Sequence, residues 1–160
     1  MNPKQSPRMT FEELTPVVRS HMLAEFRIEQ QRQDCAPYRP KVLTPLGESI
    51  FVPTMEHHLA NGDEVSLAVA LSPSEYWVER GVRNTKKGPV SYFLSGENRA
   101  MVFAITDFNT WYIRGLCKQL MSEGVEYCEV YRTAPAYEPR GECLLLEGKA
   151  LRVITGVRFN

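Results

Sequence analysis

The stretch from Val90 to Thr133 constrains this chain most, because two near-continuous apolar runs are followed there by a helical stripe and a further extended segment. Ser91-Tyr92-Phe93-Leu94 and Met101-Val102-Phe103-Ala104-Ile105 are rich in the aromatic and β-branched types that suit a pleated surface. Ser95-Gly96-Glu97-Asn98 between them has the composition of a turn. The runs Val90 to Leu94 and Ala100 to Thr106 are therefore expected to pair as a hairpin, and their continuity implies cover on both faces. Asp107 or Asn109 then offers a capping oxygen, and Ile113, Leu116, Leu120 and Met121 recur at helical spacing until Gly124 permits a left-handed stop. Val125 to Thr133 resumes an alternating, extended pattern.

Upstream, Thr10-Phe11-Glu12-Glu13 reads as a capping box and Thr15-Pro16 as an N-cap with proline in the first helical position. Together they predict a short turn and then a long helix from Pro16 to about Arg32, with Val17 or Val18, Met22 and Phe26 on its apolar side. Ala36-Pro37-Tyr38-Arg39-Pro40 ends that helix in an extended passage. Val42-Leu43 and Ser49 to Val52 read as short strands, the second bounded by Pro53, and Thr54 to Asn61 as a turn or short helix. Glu64 to Leu71 alternates Val65, Leu67, Val69 and Leu71 against smaller residues and reads as another strand. Ser72-Pro73-Ser74-Glu75 opens a two-turn helix expected to reach Arg80, and Val82 to Pro89 is expected to be an exposed basic loop. Glu142 to Leu146 and Ala150 to Phe159 complete the strands, reversed at Glu147-Gly148-Lys149.

This inventory predicts an α+β fold, a largely antiparallel sheet of about six to eight strands packed by one long N-terminal helix and a second helix at about 109–123. Residues 10–160 form one domain, preceded by an extended arm over residues 1–9 that has little apolar surface with which to dock on its own domain. A neighbouring subunit is expected to hold that arm.

Several groupings carry chemistry on paper. Glu147-Gly148-Lys149 has the E-x-K spacing of PD-(D/E)xK nucleases, with Asp107 as upstream acid for a divalent metal, although a glycine there suits a hairpin turn better. Glu56-His57-His58 with Asp63 nearby holds metal-ligand types, but adjacent histidines point apart in either regular structure. The cysteines Cys35, Cys117, Cys128 and Cys143 form no C-x-x-C pair, and most lie in apolar patterns, as buried thiols do. No nucleophile elbow, Walker A loop or dinucleotide fingerprint is present; Gly81 to Gly88 is cationic but lacks the phosphate-loop order. No catalytic residue, metal or cofactor is assigned.

Charge distribution is more informative. Lys plus Arg balance Asp plus Glu at 19 each, which gives no net field toward nucleic acid or an anionic membrane. Yet Val42 to Val78 holds five acids (Glu48, Glu56, Asp63, Glu64, Glu75) without a Lys or Arg, whereas Glu79 to Lys87 holds four cations and one acid. Opposed patches on a neutral chain suit head-to-tail contact between copies or contact with a partner. Arg80, Arg83, Lys86 and Lys87 are the expected basic side of such an interface, and Glu56, Asp63 and Glu64 the acidic side.

No apolar run approaches the roughly 18 residues of a membrane span, and the polar start lacks a secretory h-region, so an intracellular protein is expected. The expected function is that of a non-enzymatic assembly subunit in a larger particle, a phage virion neck or tail component being one instance, working through homo- or hetero-oligomeric contacts. The alternatives are a metal-dependent nuclease using Asp107, Glu147 and Lys149, and a phage or plasmid inhibitor of one host protein.

Overall fold

The structure is a computed structural model that describes residues 11–33, 36–85, 88–93, 96–129, 145 and 148–153. It is built mainly of helices, in the order α1 (Pro16–Gln30), α2 (Pro45–Asn61), α3 (Glu64–Ala70), a 3-10 turn (Ser74–Tyr76), β1 (Arg80–Thr85), β2 (Gly88–Phe93), α4 (Gly96–Ser122), β3 (Tyr127–Glu129) and β4 (Ala150–Arg152). Among the described residues the strands form two separate antiparallel pairs, β1 with β2 and β3 with β4. The six-to-eight-stranded sheet and the α+β class are thus overturned.

α1 follows its sequence. Thr15 Oγ1 accepts the Val18 N–H at 3.2 Å, Pro16 occupies the first turn, and Val18, Met22 and Phe26 are fully buried at spacings of four. α2 begins with the same grammar, since Thr44 Oγ1 accepts the Gly47 N–H at 3.2 Å ahead of Pro45. Ser49 to Val52, expected as a strand, lies inside it, and Gly47, Phe51, Met55 and Leu59 form its buried line. Pro53 lies inside this helix on its exposed side, where water can take up the Ser49 carbonyl that a proline leaves without a backbone donor. The strand expected over Glu64 to Leu71 is α3, opened by a reciprocal cap: Ser66 N–H donates to Asp63 Oδ1 at 2.7 Å and Asp63 N–H to Ser66 Oγ at 2.9 Å. Its buried side is Glu64, Leu67, Ala68 and Leu71, a helical spacing, while Val65 and Val69 face outward. Asp63→Ala removes this cap and is expected to lower stability by about 1 kcal/mol, read as a shift of the urea midpoint with an unchanged slope.

α4 is the organising element, packed by α1 along one side and by α3 along another, with α2 bridging those two. It absorbs the run Ala100 to Thr106, expected as a strand, because burial falls on Arg99, Ala100, Phe103, Ala104, Asp107, Phe108, Trp111, Tyr112 and Gly115. That is one continuous helical stripe. The α1–α4 crossing is close: a Cβ on Gly115 would stand 2.5 Å from Met22 Cγ and 2.9 Å from the Val18 carbonyl oxygen. α4 stops where the sequence says it should. Gly124 takes φ 75°, and the Val125 N–H turns back to the Leu120 carbonyl at 2.9 Å.

Three further expectations change. The helix through Arg80 shrinks to a single 3-10 turn, the loop Val82 to Pro89 is mostly hairpin β1–β2, and Val42-Leu43 contributes only a bridge from Leu43 to Trp77. Val90 to Phe93 is a strand as expected, but its partner is upstream. Of the C-terminal strands, 127–129 and 150–152 are extended and paired, with Gly148 at φ 74° in the reversal between them. Of Glu142 to Leu146 only Leu145 is described, and it is not in a strand. The arm over residues 1–9, the extension at 130–133 and the end of the last strand lie outside the described residues.

Candidate functional site

The nominated basic side of the interface falls on the β1–β2 hairpin. Its register sets Arg80 opposite Phe93, Arg83 opposite Val90 and Thr85 opposite Gly88. Arg80, Pro89, Val90 and Ser91 are exposed; Lys86 and Lys87 lie outside the described residues. The root is firm. Arg99, 5% exposed at the start of α4, donates to the Glu79 carbonyl at 2.9 Å, and Trp77 Nε1–H donates to the Leu71 carbonyl at 2.7 Å. Beyond that root, and among the described residues, no third strand pairs with either edge, and the helices pack on one another instead of on the hairpin.

The acidic side is mostly used within the fold. Glu56 receives the Arg27 guanidinium at 2.7 Å, Asp63 caps α3, and Glu64 is 3% exposed. The two acids left on the surface are ones the sequence counted without nominating, Glu48 and Glu75. They are brought together by Thr44, whose hydroxyl caps the turn of α2 that carries Glu48 and donates to the Glu75 carbonyl at 2.6 Å.

Asp107 does not end a strand; it sits on the buried stripe of α4, 8% exposed. Lys149 lies in the exposed reversal before β4, and Glu147 is outside the described residues. His58 Nδ1 lies 3.0 Å from Ser66 Oγ, and the two histidine rings are perpendicular at 5.0 Å. Burial, then the neighbouring His57, lowers the His58 pKa, and Asp63 opposes that. No group of three or more metal-ligand side chains occurs among the described residues. Cys117 and Cys128 are free and half-buried, and burial pushes the Cys117 thiol up, away from nucleophilic activation.

A second polar site was missed by sequence reasoning. Asp107 and Tyr38, which lies on the extended strap 36–40 between α1 and α2, stand close enough to act on each other's ionisation. Burial lifts the Asp107 carboxyl to about 7 against the pull of the Tyr38 hydroxyl, and it raises the Tyr38 phenol as well. Arg39 on the same strap bonds Gln30 Oε1 and lies 5.6 Å above the Phe51 ring. The signal was available, since Asp107 stands in helical register with Ala100, Phe103, Ala104 and Trp111.

The fold and these features define a small helical protein with a basic two-stranded arm. No family model matches the chain, and no curated protein or solved structure matches it. Among the described residues no helix is long and apolar enough to cross a membrane.

Proposed function

We propose that this chain is a non-enzymatic subunit of a larger protein assembly, and that copies join head to tail through the β1–β2 arm. The observation that carries this reading is the hairpin itself: among the described residues no third strand pairs with it on either side, and the main helix packing is of α4 with α1 and α3 and of α2 with α1. Unpaired edges are templates for further strand pairing. From Arg80 to Phe93 the sequence contains four cations and no acid, so the arm favours an acidic counterpart. The corner formed by Glu48 and Glu75 supplies one on the neighbouring copy.

Light scattering across a protein dilution series tests this. Masses above the 18.3 kDa monomer are expected at low ionic strength, falling as salt screens the contact. Replacing residues 82–91 by Asn-Gly should abolish association while leaving helicity and melting temperature unchanged, and Glu75→Lys should weaken it. A strictly monomeric parent protein, or association indifferent to both changes, would remove the proposal.

A further inference from the structure

The first turn of α2 is pinned to the 3-10 turn Ser74–Tyr76 by hydrogen bonds and by close packing. Thr44 donates its N–H to the Tyr76 carbonyl at 2.9 Å and its hydroxyl to the Glu75 carbonyl at 2.6 Å, and the Val78 N–H donates to the Val42 carbonyl at 2.9 Å. Gly47 passes so near that a Cβ there would stand 2.3 Å from the Tyr76 carbonyl oxygen. Leu46 is left 52% exposed on this turn, and Glu48 and Glu75 are exposed on the same corner. An aliphatic side chain held outward on a fixed backbone is covered by a partner without the cost of ordering a loop.

We propose that Leu46 is the apolar centre of the acidic corner, and that Val90 on the arm of a second copy covers it. This rests on the reading that arm and corner join, and it names the side chains that give the contact its apolar part. Charge alone is a poor hold, because exposed ion pairs are weak and salt screens them. Protein interfaces set apolar area at the centre and polar groups at the rim. The arm has that plan: Val90 is 48% exposed, stands opposite Arg83 in the β1–β2 register, and belongs to a segment, Arg80 to Phe93, with four cations and no acid. The corner has the counterpart, an exposed leucine beside two exposed carboxylates, in a segment from Val42 to Val78 that holds no Lys or Arg.

The exposed aliphatic residues on α1 and α3 lack such a setting. Val17 and Ile28 lie on α1, which carries both signs in Arg19, Glu25, Arg27 and Glu29, and Val65 and Val69 lie on α3, whose one charged residue, Glu64, is buried. Complementary charge around a single aliphatic side chain on each surface therefore pairs Leu46 with Val90.

Sedimentation equilibrium of the full chain over a range of salt concentrations tests this. Leu46→Gln and Val90→Thr keep every charge and suit a helix and a strand; each should raise the dissociation constant about five- to tenfold while its dependence on salt stays that of the parent protein. Leu46→Met, which keeps the apolar area, should associate as the parent does. The double variant should be weakened by clearly less than the product of the two single effects, because the two side chains touch. Association that Glu75→Lys weakens but Leu46→Gln and Val90→Thr leave intact would overturn this contact alone, as would a double effect equal to that product or an equal loss in Leu46→Met. A monomeric parent protein would overturn it together with the reading beneath it.

Discussion

Phe51→Ala is expected to lower the stability of this protein by about 3–5 kcal/mol, the range for removing a fully buried aromatic side chain. The ring has no exposed surface and joins α2 to α1, α4 and the strap. It projects from α2, meets Phe26 of α1 and Phe103 of α4 edge-on, and is covered by Tyr38 and Arg39 of the strap. Truncation opens a void bounded by three helices whose backbones are fixed by other contacts, among them the close passage of Gly115 against Met22. Little collapse can fill it. Against a typical margin of about 5–15 kcal/mol, such a loss leaves a fold that unfolds at a much lower urea concentration. A midpoint that moves by less than the equivalent of about 1 kcal/mol would mean that the ring does not join these helices.

The same residue shows why the sequence was only partly legible. Phe51 was placed in a strand because Ser49-Ile50-Phe51-Val52 is short, apolar and followed by proline. Strand and buried helix cannot be separated by periodicity over so few positions. The deciding signal was Thr44-Pro45, the same cap that correctly opened α1 at Thr15-Pro16. Leu67 and Leu71 fit a period of two and a period of 3.6 equally well; what separates the readings is Glu64 and Ala68, inward residues that a strand pattern counts as outward. In α4 the run Met101 to Ile105 hid a stripe whose members include an alanine pair and an acid. Ends were easier. Gly124 marked the stop of α4, and Gly148 the reversal before β4, through backbone requirements that do not depend on tertiary packing. The basic segment was visible as charge, but the fate of the nominated acids was not: Glu64 is buried, Glu56 pairs with Arg27 and Asp63 caps α3.

Asp107→Asn is expected to remove the pH dependence that this acid imposes on folding. In the folded chain the carboxyl titrates near 7, whereas an unfolded aspartate titrates near 3.9, so the native state holds the proton more tightly. Stability from this group is fully present below about pH 4, declines as pH rises toward 7, and is gone above that. In a rigid fold the loss would reach about 4 kcal/mol, three pKa units at about 1.36 kcal/mol each. Asparagine keeps the shape and accepts the Tyr38 hydroxyl but carries no charge; any penalty from its unpaired N–H is the same at every pH. Urea midpoints at about pH 5 and about pH 8 should therefore diverge in the parent protein far more than in Asp107→Asn, with the variant the more stable of the two at the higher pH. Equal divergence in both would place the titrating group elsewhere.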